Sequence, residues 1–243
     1  MTNKRDLVEQ YCADCYSNVH YSKRPFGFCP TSYFHKKLEK EFSGYSSIST
    51  VIEFGCGDFQ HLPYIGHDYE RYVGVDVLHP KTALDLEQIE SLHENSMNKV
   101  ECLKCDLNDE QELVRKLGKR LQSFDRLLMT CLLHHLPNCW EFMDFLKCNM
   151  GQNAHIDIFL PHDPGVFHSA YQTLVSRPTC VASGGDGINF ALVHAIEHQN
   201  AYKSIVVQLN HIFRDFRIRR RQYPFGCFVP ETLNAFSIFH ISR

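Results

Sequence analysis

Beyond an N-terminal region of about 45 residues, short apolar runs alternate with stretches whose apolar positions recur at helical spacing. The runs at 50–55, 71–77, 99–107, 124–131 and 155–160 read as strands. A short stretch from about 60 and longer ones at 81–97, 110–121 and 139–148 read as helices. Strands separated by helices join through right-handed crossovers. The pattern therefore predicts an α/β fold, a doubly wound and mostly parallel sheet with helices on both faces. Ligands of such sheets sit beyond the carboxyl ends of the strands.

The tail breaks the alternation. Residues 201–213 read as one more helix, and "DFRIRRRQYPF" and "LNAFSIFHIS" as two strands joined by a loop containing Pro and Gly. Together they predict a terminal antiparallel hairpin and a seven-stranded sheet. Residues 1–45 are expected to form a lid or flanking helices, and 46–243 the ligand-binding domain, with an acceptor-side insertion at about 164–200. That insertion carries "SGGDG" with many His and aromatic residues and fits no regular element; long irregular segments in compact domains are usually binding loops.

Composition narrows the class only a little. With 44% hydrophobic and 22% charged residues the chain is an ordinary globular one. A formal charge of −3 gives no electrostatic case for nucleic acid, although "RIRRRQ" at 217–222 could meet a phosphate or other anion. No apolar run approaches the roughly 20 residues of a membrane span, and the polar start lacks a signal-peptide core. A cytoplasmic location is expected, with the oligomeric state open between monomer and homo-oligomer. Two C-x-x-C pairs, Cys12/Cys15 and Cys102/Cys105, raise the question of a zinc site. The second pair lies in a strand, where positions three apart face opposite ways, so free thiols are the better reading.

The chemistry concentrates in "STVIEFGCGDFQHLPYIGHDYERYVGVDVLHP". Glu53 ends a strand, Gly55-Cys56-Gly57 makes the turn, and Asp76 ends the next strand. Glycines there permit positive φ and close approach of a ligand, and the distal acid suits the two hydroxyls of a ribose. A dinucleotide site would want a third glycine, which "GCGDFQH" lacks, and Glu53 would repel a pyrophosphate. A carboxylate at the turn favours a cofactor with a cationic end, hence S-adenosylmethionine over NAD.

These residues resemble the class I S-adenosylmethionine-dependent methyltransferases, whose Rossmann-like fold covers most of the chain after residue 45. The family's E/D-x-G-x-G turn appears as Glu53-Phe54-Gly55-Cys56-Gly57, its ribose acid as Asp76, and its adenine-contacting acid as Asp106 in "KCDLND". "LLMTCLLHHLPN" matches the fourth strand and the segment after it, while "LKCNMGQNA" departs from the family's usual "LKPGG" turn. The resemblance implies a cofactor pocket formed by Glu53, Gly55, Cys56, Gly57, Asp76, Val77, Asp106, Leu107 and Cys131. In the tail, "LPHDPGVFH", "EHQNAYKSI", "YPF" and "LNAFSIFHI" look like methyltransferases of bacterial surface-polysaccharide biosynthesis. That likeness implies a small-molecule or glycan-type acceptor.

Methyl transfer to a hydroxyl needs a base, and His is apt near neutral pH. His135, one of the adjacent His134 and His135 after the fourth strand, is the preferred candidate. His162 with Asp163 after the fifth strand could form a His–carboxylate pair. Glu197 and His198 could line the acceptor pocket or hold a divalent ion with Asp163, but their spacing is not diagnostic and no metal is expected. Tyr21 and Arg24 could reach the cofactor carboxylate. Two other readings stay open: an inactive methyltransferase-like regulatory subunit, and an NAD-binding oxidoreductase.

Overall fold

A computed structural model describes residues 30–40, 47–77 and 100–243, together with positions 8 and 11. The expected helix at 81–97, the Cys12/Cys15 pair, Tyr21 and Arg24 lie outside the described residues, as does most of the expected lid. Helix α1 (Pro30–Lys40) precedes β1 (Ser47–Phe54), β2 (Asp68–Asp76) and β3 (Val100–Lys104). Then come α2 (Glu110–Leu117), α3 (Arg120–Ser123), β4 (Arg126–Thr130), α4 (Cys139–Asn149) and β5 (His155–Pro161). After residues 162–201, α8 (Tyr202–Ile212), β6 (Arg217–Tyr223) and β7 (Phe236–Ser242) complete the chain.

The sheet has seven strands in the order β3-β2-β1-β4-β5-β7-β6. Strands β1 to β5 pair in parallel, while β7 runs antiparallel between β5 and β6, which gives the expected terminal hairpin. Chain direction across the sheet reverses between β1 and β4, so the crevice of a doubly wound sheet opens at their carboxyl ends.

Period-two alternation divides the core. Ile52, Phe54, Val73, Val75, Leu127 and Met129 face one layer, which contains α2, α4 and α8. Val51, Tyr72, Leu128, Phe159 and Ile238 face the other, where α1 lays Phe34 and Leu38. Cys102 and Cys105 fall on opposite sides, as strand geometry requires, and both are free thiols.

Helix α1 is also fastened by charge. Arg126, at the amino end of β4, is fully buried and donates from Nε to Asp157 at 2.8 Å and from both terminal nitrogens to Glu39 at 2.6 and 3.1 Å. His61 Nε2 lies 2.8 Å from Glu39, and Arg126 also meets His67 at 2.9 Å. Burial would raise the Glu39 pKa, but the His61 hydrogen bond and the Arg126 charge outweigh it and hold Glu39 at about 2.

Three expectations change. The stretch near 60 forms only a 3-10 turn, Leu62–Tyr64, where Pro63 disfavours the α conformation of the residue before it. The expected helix at 110–121 divides at Gly118, whose φ of +54° ends α2 while its N–H caps Val114 O at 2.8 Å. Residues 164–200 are mostly helical, as α5 (Val166–Tyr171), a π-helical stretch (Gln172–Ser176), α6 (Arg177–Ala182) and α7 (Phe190–Glu197). Pro178 lacks the N–H an α-helix would use and crowds the preceding turn, so the chain widens into a π segment just before it. Exposed apolar residues such as Leu174 and Val166 hid the helical period of this segment.

Candidate functional site

At the end of β1 the chain turns through Gly55 (φ +70°), Cys56 and Gly57 (φ +49°). Gly55 N–H donates to Val75 O at 2.8 Å, which holds the turn against β2. A Cβ at Gly55 would meet Leu132 Cδ1 at 3.0 Å, in addition to the strain of its φ. Gly57 N–H donates to Asp76 Oδ2 at 2.9 Å, so the turn and the second acid form one unit across two parallel strands. The turn also depends on Gly74, a strand glycine that the sequence reading passed over. A Cβ there would lie 2.3 Å from the Phe59 ring and 2.8 Å from Cys56 Sγ.

Glu53 differs from its expectation. It is buried, and Tyr72 Oη donates to it at 2.6 Å. Burial pushes its pKa up to about 8, so the protonated form dominates at neutral pH and the corner carries less negative charge than the pattern suggests.

Asp106 follows β3 and is exposed, and its Oδ1 accepts from Asn108 N at 2.9 Å and Asn108 Nδ2 at 3.0 Å. The helix-capping role belongs to Asp109, whose side chain accepts from Glu112 N at the start of α2. Asp106 therefore stands outside the helix, beyond the carboxyl end of β3. Leu107 beside it is buried, Val77 after β2 is exposed, and Cys131 after β4 has φ +54°. The nine cofactor candidates thus lie at the carboxyl ends of β1 to β4.

The loop after β4 carries His134 and His135, and the segment after α7 is stitched to it. Gln199 N donates to His134 O at 2.8 Å, and Asn200 Nδ2 donates to Leu136 O at 2.6 Å. These bonds give Gln199 and Asn200 of "EHQN" a structural role. His135 Nδ1–H donates to Glu197 O at 3.0 Å, and since a carbonyl only accepts, the ring's lone pair is on Nε2. His134 is buried, with Nδ1 lacking a hydrogen-bond partner among the described residues.

His162 and Asp163 do not pair. His162 is buried, with Nδ1 2.6 Å from Glu231 O and Nε2 2.8 Å from Ser237 Oγ. Both nitrogens are engaged, and burial pulls its pKa down to about 4, so this ring ties the β5 end to β7 instead of facing an acceptor. Asp163 meets other histidines: His198 Nδ1 at 2.5 Å, His194 Nε2 at 3.5 Å and His168 Nε2 at 3.6 Å. Neither His168 nor His194 was singled out in the sequence. The His194/His198 spacing of four on and just past α7 was the available signal. The basic run forms β6, where Arg217, Arg219 and Arg221 are exposed and Arg220 turns inward to Glu231 at 2.5 Å.

Similar architectures occur among solved structures. The small RNA methyltransferase HEN1 matches at 14% identity and TM-score 0.60, over 87% of this chain and 26% of that one. The plantazolicin methyltransferase BpumL in complex with SAH matches at 15% and 0.58, over 99% and 95%. The N-methyltransferase NodS from Bradyrhizobium japonicum WM9, also with SAH, matches at 12% and 0.53, over 99% and 98%. The fold is that of the S-adenosylmethionine-dependent methyltransferases. The chain spans about a quarter of the length of HEN1 but nearly all of BpumL and NodS. No family model and no curated protein matches it. Among the described residues, no helix is long and apolar enough to cross a membrane.

Proposed function

We propose that this methyltransferase fold binds S-adenosylmethionine and moves its methyl group to a hydroxyl of a small, glycan-type acceptor. The observation that carries the reading is the Gly57 N–H to Asp76 contact, which joins the glycine turn at the end of β1 to the acid at the end of β2, beside the sheet's switch point. Asp76 and Asp106 are assigned to the ribose and adenine ends. Gly55, Cys56, Gly57 and Glu53 are assigned to the methionine end, with Val77, Leu107 and Cys131 as walls. Glu53 has a specific task. An ammonium brought beside it stabilises the carboxylate, so cofactor binding releases a proton that this buried group otherwise keeps.

His135 is the proposed base. Its Nδ1–H is held by Glu197 O, which leaves Nε2 basic on the ring that follows β4. In the transfer the acceptor O–H proton goes to Nε2, an O–C bond forms, and the C–S⁺ bond breaks to leave a neutral thioether. The NAD reading loses support at the same place. Gln60 stands where a third glycine would, and the next residue, His61, is buried against Glu39 ahead of a 3-10 turn, so no α-helix opens there to face a pyrophosphate. The tail's likeness to enzymes of surface-polysaccharide biosynthesis supports the glycan-type acceptor and a cytoplasmic site of action.

Thermal shift with S-adenosylhomocysteine, S-adenosylmethionine and NAD in parallel tests the reading. Stabilisation by the first two alone is expected, and stabilisation by NAD alone overturns it. Binding without turnover on any hydroxylated acceptor would select the regulatory subunit.

A further inference from the structure

The donor atoms of Asp163, His168, His194 and His198 all lie within 4.8 Å of one another. They come from three places that the fold brings together: the end of β5, helix α5, and helix α7 with the residue after it. His168 Nε2 and His194 Nε2 are 3.2 Å apart, His194 Nε2 is 3.5 Å from Asp163 Oδ2, and His168 Nε2 is 3.6 Å from Oδ1. Bonds of about 2.0–2.1 Å in a tetrahedron put neighbouring ligand atoms about 3.3 Å apart. Three of the observed separations bracket that figure, while His198 Nδ1 and Asp163 Oδ2, at 2.5 Å, share a hydrogen bond that must lengthen for both atoms to become ligands.

Hydrogen bonding alone explains the nest poorly. Gln172 Nε2 lies 3.0 Å from His168 Nε2, the same nitrogen that faces His194 Nε2. Several nitrogens thus crowd a single carboxylate. The backbone around them is fixed: Tyr202 N–H donates to Asp163 O at 2.7 Å and His198 N–H to His194 O at 2.9 Å. A cation at the centre would take the lone pairs of these nitrogens as ligands in place of the shared hydrogen bonds.

We propose that Asp163, His168, His194 and His198 bind one divalent transition-metal ion, zinc by preference. Three imidazoles and one carboxylate suit zinc and its neighbours, whereas magnesium prefers an oxygen shell. The ion's place suggests its use. The His198 ring is 4.5 Å from the His134 ring and 5.1 Å from that of His135, the proposed base. An acceptor oxygen that joins the ion as a fifth ligand is acidified before its proton passes to His135. This second statement rests on the methyl-transfer reading, and the metal site itself does not.

The test titrates chelator-treated full-length protein with ZnCl2, MnCl2 and MgCl2 by calorimetry, and with CoCl2 by visible absorption. One zinc per chain is expected, bound more tightly than manganese, with magnesium silent. His194→Ala and His168→Asn should each weaken zinc by on the order of 100-fold, with far-UV circular dichroism unchanged. Acetohydroxamate, a bidentate oxygen probe, should shift the cobalt spectrum, whereas an unchanged spectrum overturns acceptor binding at the ion. Absence of zinc binding, or equal zinc binding by wild type and both variants, overturns the site. The S-adenosylhomocysteine thermal shift is measured in the same samples under chelator. Its loss would overturn the cofactor reading while leaving the metal result to stand by itself.

Discussion

Two polar clusters lie on this sheet, one at the amino end of β4 and one beyond the carboxyl ends of β4 and β5, and they differ in how their charges are matched. Around Arg126 one guanidinium meets two carboxylates, Glu39 and Asp157, with His61 on Glu39 and His240 on Asp157, all buried. Around Asp163 one carboxylate meets three imidazoles, and all four side chains keep part of their surface accessible, between 13 and 21%. The first cluster closes on itself and fastens α1 to the sheet. The second has more nitrogens than one carboxylate can satisfy and remains reachable. A buried network with matched partners is an anchor, whereas an unmatched and accessible one is a site.

The comparison breaks most visibly at the anchor. Arg126→Met leaves two carboxylates buried without their cation, and should cost about 3–5 kcal/mol in urea unfolding. A loss under about 1 kcal/mol would mean that α1 is held by Phe34 and Leu38 alone. Glu53 comes next. Its pKa of about 8 lies above the ordinary carboxylate value, so the folded chain holds an extra proton and loses stability as pH rises from about 4.5 to 8. Glu53→Gln should remove that slope, with a gain of up to about 4 kcal/mol at pH 8, and should weaken S-adenosylhomocysteine binding. A smaller effect of opposite sign belongs to Glu39. Its pKa of about 2 gives stability that is full above about 4.5 and fades as pH falls toward 2. Glu39→Gln should flatten that acid limb, which amounts to about 3 kcal/mol. At the other cluster, His168→Asn in metal-free protein should move stability by less than about 1 kcal/mol. Zinc at 100 times its Kd should raise wild-type stability by about 2.7 kcal/mol. The same substitution therefore separates anchor from site.

The anchor and the site were legible in the sequence to different degrees, for physical reasons. The parallel direction of β1 to β5 and the terminal hairpin followed from the alternating periods, because a parallel sheet needs helical crossovers, whereas the order of the strands across the sheet appeared only in the structure. The turn at Gly55 and Gly57 followed from spacing, because positive φ selects glycine. The protonation of Glu53 was invisible: it depends on Tyr72, which stands opposite only once β1 and β2 pair. His162 and Asp163 are adjacent in sequence, yet one faces Ser237 and the other His198, and adjacency said nothing about either direction. His168 and His194 were missed because their common partner is brought to them by three separate elements. The helices of 164–200 were missed because much of their apolar surface is exposed, so no buried face marked the period. Arg126 illustrates the same limit, since an arginine that opens a strand gives no sign that Glu39 will reach it.

The proposed cofactor site rests on the contact between the glycine turn and Asp76. Calorimetric titration of wild type and Asp76→Ala with S-adenosylhomocysteine at pH 7 tests it most directly. Saturable one-to-one binding by wild type, weakened at least tenfold in the variant, is the predicted result, a difference of about 1.4 kcal/mol or more. Equal affinities in the two proteins, or no heat from wild type, would contradict it.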